Sequence, residues 1–131
     1  MTRKEWNKKV CSFSLYFTFN EFRCRCGKCS SPAYLNPKLI TYLDEMRKHF
    51  KKPVVITSGI RCKKYNDSLP GSSKASGHLT GNAVDVYIKG VNPKDIHAWW
   101  LSNVPYCYTY YGTSNMGNAC HVEVISERSN L

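Results

Sequence analysis

The stretch Ser76-Gly-His78-Leu-Thr-Gly81-Asn-Ala83-Val-Asp85 is answered downstream by His121-Val-Glu123. Two imidazoles and a carboxylate, with a further carboxylate two residues past the second imidazole, are the ligand types of a catalytic zinc ion. Such an ion takes three protein ligands and leaves its fourth position to water. Zinc brings that water's pKa near neutrality, which is the chemistry of a hydrolase. Gly81 lies between His78 and Asp85 and permits a tight turn, so both side chains can converge on one point. His121 and Glu123 are two apart, and on a strand they face the same side. A lone histidine is usually structural. His49 and His97 each sit in a helical pattern without a partner and are read that way.

The chain has seven cysteines, a high and odd count. Four of them form a set, Cys24-Arg-Cys26-Gly-Lys-Cys29 with the remote Cys62. That spacing suits a structural zinc held by four thiolates. It also suits one disulfide from Cys62 to the cluster, with the other thiols free. Cys11, Cys107 and Cys120 read as small core residues.

The elements that must position these groups follow from pattern. Residues 1–20 are basic, then aromatic-rich, and read as an N-terminal arm that packs on the body. Asn36-Pro37 opens a helix, with Asn as the cap and Pro at the first helical position. Leu39, Leu43, Met46 and Phe50 recur at helical spacing behind it, Arg47, Lys48, Lys51 and Lys52 suit the negative end of its dipole, and Pro53 stops it. Val54–Thr57 is a short strand, Ile60–Asn66 a helical turn, and residues 67–77 a Ser-, Gly- and Pro-rich loop. Ala83–Ile88 alternates as a strand, and Asn92-Pro93 opens a second helix through Ile96, Trp99, Trp100 and Leu101. Tyr106–Tyr111 and Ala119–Ile125 are further strands. The expected class is α+β, a small antiparallel sheet flanked by helices, in one domain spanning 1–131.

Composition narrows the function. The 131 residues allow one modest core, and no apolar run approaches the roughly 20 needed to span a bilayer. The basic N-terminus lacks an apolar run with a small-residue cleavage site behind it, so no signal peptide is read and synthesis is expected in the cytoplasm. The formal charge of +10 points to an anionic partner. The cations are scattered and no nucleic-acid motif accompanies them, so nucleic acid is not the expected partner; bacterial cell wall is also anionic.

Four segments in order carry a family resemblance over most of the chain. They are Phe19-Asn-Glu21-Phe22-Arg-Cys24-Arg-Cys26-Gly27; Ile56-Thr57-Ser58-Gly59-Ile60-Arg61-Cys62, with Asn66 beyond it; Ser76 to Asp85; and His121-Val-Glu123-Val. The chain resembles the D-alanyl-D-alanine carboxypeptidase family of zinc peptidases (peptidase family M15), especially its short phage and bacterial members that cut peptidoglycan peptides. The resemblance implies a hedgehog/D,D-peptidase-like fold. It implies one catalytic Zn²⁺ held by His78, Asp85 and His121, with Arg61 and Ser76 facing the substrate. Arg61 has a physical reason to be there, because its fork binds a carboxylate or a developing oxyanion through two charge-assisted bonds. Several relatives carry a Glu just upstream of the last His, where this chain has Asn115, Asn118 and Ala119. Glu123 is therefore read as the general base, the other reading being a group that orients a ligand. The expected function is hydrolysis of peptidoglycan stem peptides, as a D,D-carboxypeptidase or an endolysin-like endopeptidase, by a monomer acting on the wall after release. A phage-encoded or virion-associated protein fits that picture. The alternative is a non-catalytic module that keeps the metal for structure or binding.

Overall fold

The computed structural model describes residues 1–29, 31–73 and 76–125. The element order is α1 (Arg3–Ser12), a 3-10 turn (Phe19–Phe22), α2 (Pro37–Phe50), β1 (Val55–Ser58), α3 (Lys63–Ser68), a second 3-10 turn (Gly77–Leu79), β2 (Ala83–Tyr87), α4 (Pro93–Asn103), β3 (Cys107–Tyr111) and β4 (Cys120–Val124). The architecture is α+β, as expected.

Each helix starts where its caps dictate. Asn36 accepts a bond from Lys38 N to open α2, and Asn92 accepts from Lys94 N to open α4. Lys51, in the left-handed conformation at φ 57°, ends α2. The N-terminal stretch contains a helix absent from the sequence reading. Thr2 and Glu5 form a reciprocal capping box that starts α1. The fully buried Asn7 then ties α1 to the chain ahead of α2: its amide donates to Ala33 O at 2.9 Å and its oxygen accepts from Leu35 N at 2.8 Å. The helical turn expected at residues 60–66 forms later, as α3 over Lys63–Ser68.

The four strands make one antiparallel sheet in the order β1-β2-β4-β3. Alternation sorts its two faces. Val84 and Val86 on β2, and Cys120, Val122 and Val124 on β4, join Leu39, Leu43 and Met46 of α2 and Ile96 and Trp100 of α4 in the buried core. The other face carries the polar residues. Trp100 Nε1 donates to Glu123 O at 3.0 Å, so the core helix α4 fixes the strand that bears His121 and Glu123. Among the described residues, no helix is long and apolar enough to cross a membrane.

Candidate metal centre

Strand register alone assembles a row of side chains on the polar face: Ser58 lies opposite Asp85, Asp85 opposite His121, and His121 opposite Tyr110. His78 enters from the 3-10 turn just ahead of β2, whose start is capped by Ser76 Oγ accepting from His78 N at 3.2 Å. Gly81, at φ +78°, closes that turn against the Tyr34 carbonyl, where a Cβ would collide. Neighbouring strands and a tight turn thus bring together residues 43 apart in sequence, from His78 to His121.

The donor atoms of His78, Asp85 and His121 lie within 4.8 Å of one another, and all three residues are buried. Asp85 Oδ1 is 3.3 Å from His78 Nε2 and 3.0 Å from His121 Nδ1. A tetrahedral zinc with bonds of about 2.0–2.1 Å separates its ligand atoms by about 3.3 Å, so the donor set is at the right spacing. The outer bonds of the imidazoles agree. His78 Nδ1 donates to Gly59 O at 2.7 Å, and His121 Nε2 donates to Glu123 Oε1 at 2.8 Å. In the neutral imidazole each bond uses the N–H of one nitrogen and leaves the other, facing Asp85, with the lone pair that a metal would take. Without a metal a proton there can bond Asp85 instead. Protein–acceptor pairs of this kind fix the tautomer of metal-binding histidines. The residues fit zinc.

Burial opposes the charge on Asp85, yet hydrogen bonds from His121 and then His78 outweigh it and hold its pKa well below the usual carboxylate range. Burial likewise opposes protonation of His121, but its bonds to Asp85 and Glu123 raise its pKa above the ordinary imidazole value. Both are properties of the metal-free chain.

Arg61 stands beside the donor set. Its Nη2 is 3.4 Å from Asp85 Oδ2, its Nε donates to Ser58 Oγ at 3.0 Å, and its Nη1 donates to Asn66 Oδ1 at 3.1 Å. Asn66 is fully buried and in turn donates to Ser73 O. Arg61 and Asp85 line a cleft of about 960 Å³, together with Leu69–Ser72 and residues of the β3–β4 connection, Thr113–Met116 and Asn118. The two segments meet where Asn115 Nδ2 donates to Pro70 O at 3.0 Å. Ser76 does not line this cleft and is occupied in capping the His78 turn. Glu123 lies outside the donor set, on the His121 nitrogen turned away from Asp85.

Tyr110 is a site residue that the sequence reading misses. It lines the cleft and stacks on the His121 ring at 4.5 Å and 16°. Burial first, then the charge of Asp85, raises its pKa, so it stays a neutral phenol. The signal was the alternation of Tyr108 and Tyr110, which matches the two-residue spacing of His121 and Glu123 on the strand beside them.

The remaining candidates fall elsewhere. His49 packs on Phe50 and Trp99, and His97 faces Thr109 and Tyr111. All seven cysteines are unpaired. Burial pushes the Cys11 thiol up to about 12 and Cys120 up to about 11, which suits inert core residues. Cys24, Cys26, Cys29 and Cys62 converge on a second point.

A family model described as Peptidase M15 matches residues 15–123, from just beyond α1 to the end of the Glu123 pair. No curated protein and no solved structure matches the chain.

Proposed function

Since the chain belongs to the Peptidase M15 family, a zinc-dependent family, we propose that it is a zinc metallopeptidase that hydrolyses peptide bonds in peptidoglycan stem peptides. The observation that supports this most is the buried His78–Asp85–His121 donor set, whose Asp85 lines the cleft together with the guanidinium of Arg61 beside it. Zinc held there would supply Lewis acidity, polarising a carbonyl oxygen and lowering the pKa of water.

The chain's own residues do the rest. Asp85 stays anionic at every working pH and brings the negative charge that a dication requires. Arg61 is held by Ser58 and Asn66, so it meets substrate in one fixed orientation, at a carboxylate terminus or a developing oxyanion. We assign Glu123 to orienting His121, in place of the general-base role expected from the sequence. Its Oε1 is committed to the His121 Nε2–H, and it stands outside the donor set. Ser76 is assigned to presenting His78 in place of contacting substrate. Tyr110 fixes the plane of His121 and offers an aromatic wall to the peptide. A net charge of +10 suits an anionic wall as the target, in an endolysin-like role after release from the cytoplasm.

The test is to incubate the zinc-loaded protein with purified stem-peptide fragments and follow them by mass spectrometry. Release of terminal D-alanine marks a carboxypeptidase, and internal scission marks an endopeptidase. If fully zinc-loaded protein leaves every fragment intact, the peptidase reading fails and the non-catalytic metal module takes its place.

A further inference from the structure

Among the described residues, one other group of metal-ligating side chains exists: Cys24, Cys26, Cys29 and Cys62, whose Sγ atoms all lie within 4.8 Å of one another. With bonds of about 2.3 Å, a tetrahedral zinc separates its four sulfurs by about 3.8 Å. Cys26 and Cys29 Sγ stand 3.4 Å apart. A disulfide draws two sulfurs to about 2.05 Å and accounts for only a pair. One central ion accounts for all four at once.

The backbone is arranged for sulfur anions. Lys28 N and Cys29 N point at Cys26 Sγ at 3.3 and 3.4 Å, Cys62 N at Cys24 Sγ at 3.3 Å, and Tyr65 N at Cys62 Sγ at 3.4 Å. Such N–H donors stabilise thiolates, the form a metal binds. Four thiolates around a dication leave a net charge of −2, and the chain next to them is basic: Arg23, Arg25 and Lys28 interleave with the first three cysteines in sequence, and Lys63 and Lys64 follow the fourth.

We propose that Cys24, Cys26, Cys29 and Cys62 bind a structural zinc, and that this ion clamps the segment carrying Arg61. With four protein ligands the site has no open position and does no chemistry itself. Its reach comes from Cys62, which follows Arg61 directly and caps α3. The same segment is stitched to its neighbours by Ile60 N to Phe22 O, Arg61 N to His78 O and Arg25 Nη2 to Ile56 O. Gly59 O, which sets the His78 tautomer, lies in it too. The ion would therefore hold in place both the substrate-facing guanidinium and the acceptor behind one catalytic-site histidine.

The experiment reads metal and amides, not turnover, so its failure would leave the peptidase reading standing. Full-length protein purified under reducing conditions with zinc is analysed for metal content and native thiol reactivity, as wild type, Asp85→Ala and Cys29→Ser. Two zinc ions are expected in the wild type and one in each variant. Cobalt loaded into Asp85→Ala should give the intense sulfur-to-metal charge-transfer bands of a tetrathiolate. In Cys29→Ser, amide exchange at residues 60–62 should quicken on the order of tenfold or more. If Cys29→Ser does not fold, the cobalt spectrum of Asp85→Ala decides. Asp85→Ala free of metal with all four thiols reactive, iron in place of zinc, or a disulfide among the four in the wild type would each overturn the proposal.

Discussion

Glu123 acts on the site through His121. Its carboxylate meets the outer nitrogen of His121 at 2.8 Å, so removing it frees the imidazole to rotate and to choose the wrong tautomer. Glu123→Ala is expected to weaken zinc binding about 10- to 100-fold, the usual cost of losing a ligand's outer partner. Glu123→Gln keeps an oxygen that can accept the same N–H, and should lose much less affinity and only a few-fold in kcat. Chelator competition and kinetics on zinc-loaded protein check both. A kcat loss of about 10²-fold or more in the Gln variant, with zinc still bound, would return the general-base role to Glu123. Arg61→Lys keeps the charge but not the fork; with zinc content unchanged, kcat/KM should fall about 10- to 100-fold, the equivalent of one charge-assisted bond.

Titration of the metal-free chain adds a pH dependence with a definite sign. The folded pKa of His121 is raised, so below that raised value zinc must displace a proton from His121. Apparent zinc affinity should therefore strengthen as pH rises, and level off once pH exceeds that raised value. Asp85 is already ionised throughout this window, because its pKa is depressed. Its bonds contribute to the metal-free fold above the ordinary carboxylate pKa, and that contribution is lost as the solution is acidified. Calorimetry in two buffers of different ionisation enthalpy counts the released proton. Affinity that does not vary with pH would remove the explanation.

At the scale of elements, the Gly77–Leu79 turn decides whether the site exists. A Cβ on Gly77 would sit 2.5 Å from Glu123 Oε1 and 2.8 Å from Ala83 Cβ, while Gly81 needs its positive φ beside the Tyr34 carbonyl. Gly81→Ala should destabilise the fold by about 1–3 kcal/mol in denaturant titration, the range for a strained backbone position. Gly77→Ala should lower zinc affinity by displacing Glu123, although it alters no ligand. Thr2→Ala offers the contrast: losing the α1 cap costs about 1 kcal/mol of stability and should leave zinc affinity unchanged. Most elements are legible from local signals. The Asn-Pro openings of α2 and α4 and the alternation in β2, β3 and β4 come from the chain itself. α1 goes unread because its start rests on Thr2 and Glu5 alone, in a stretch dominated by basic residues that give no clear apolar stripe. Its stability is tertiary, through the buried Asn7 and its bonds to Ala33 and Leu35.

For the whole molecule, metal and fold are linked. An ion that binds only the native state adds about 2.7 kcal/mol per site when free zinc is near 100 times Kd. Thermal unfolding should therefore shift down on chelation and recover when zinc is restored. A melting point indifferent to chelator would show that neither cluster holds an ion in solution. The polar face of the sheet, the cleft and the Arg61 segment all lie on one side of a single core. The core helix α4 reaches through to the site by the Trp100 bond to the Glu123 carbonyl. Trimming Trp100 should therefore disturb zinc binding as well as stability.

The sequence by itself determines the ligand chemistry, the helix starts and the faces of the strands, because each depends on side-chain type and on spacings of two to four residues. His78, Asp85, His121 and the cysteine set are visible on those grounds. Only the tertiary structure decides which nitrogen of each imidazole is free, and that Glu123 stands behind His121. It also decides that Ser76 caps a turn and that Tyr110 stacks on His121. Those facts depend on strand register and on contacts between residues tens of positions apart, which no local pattern encodes.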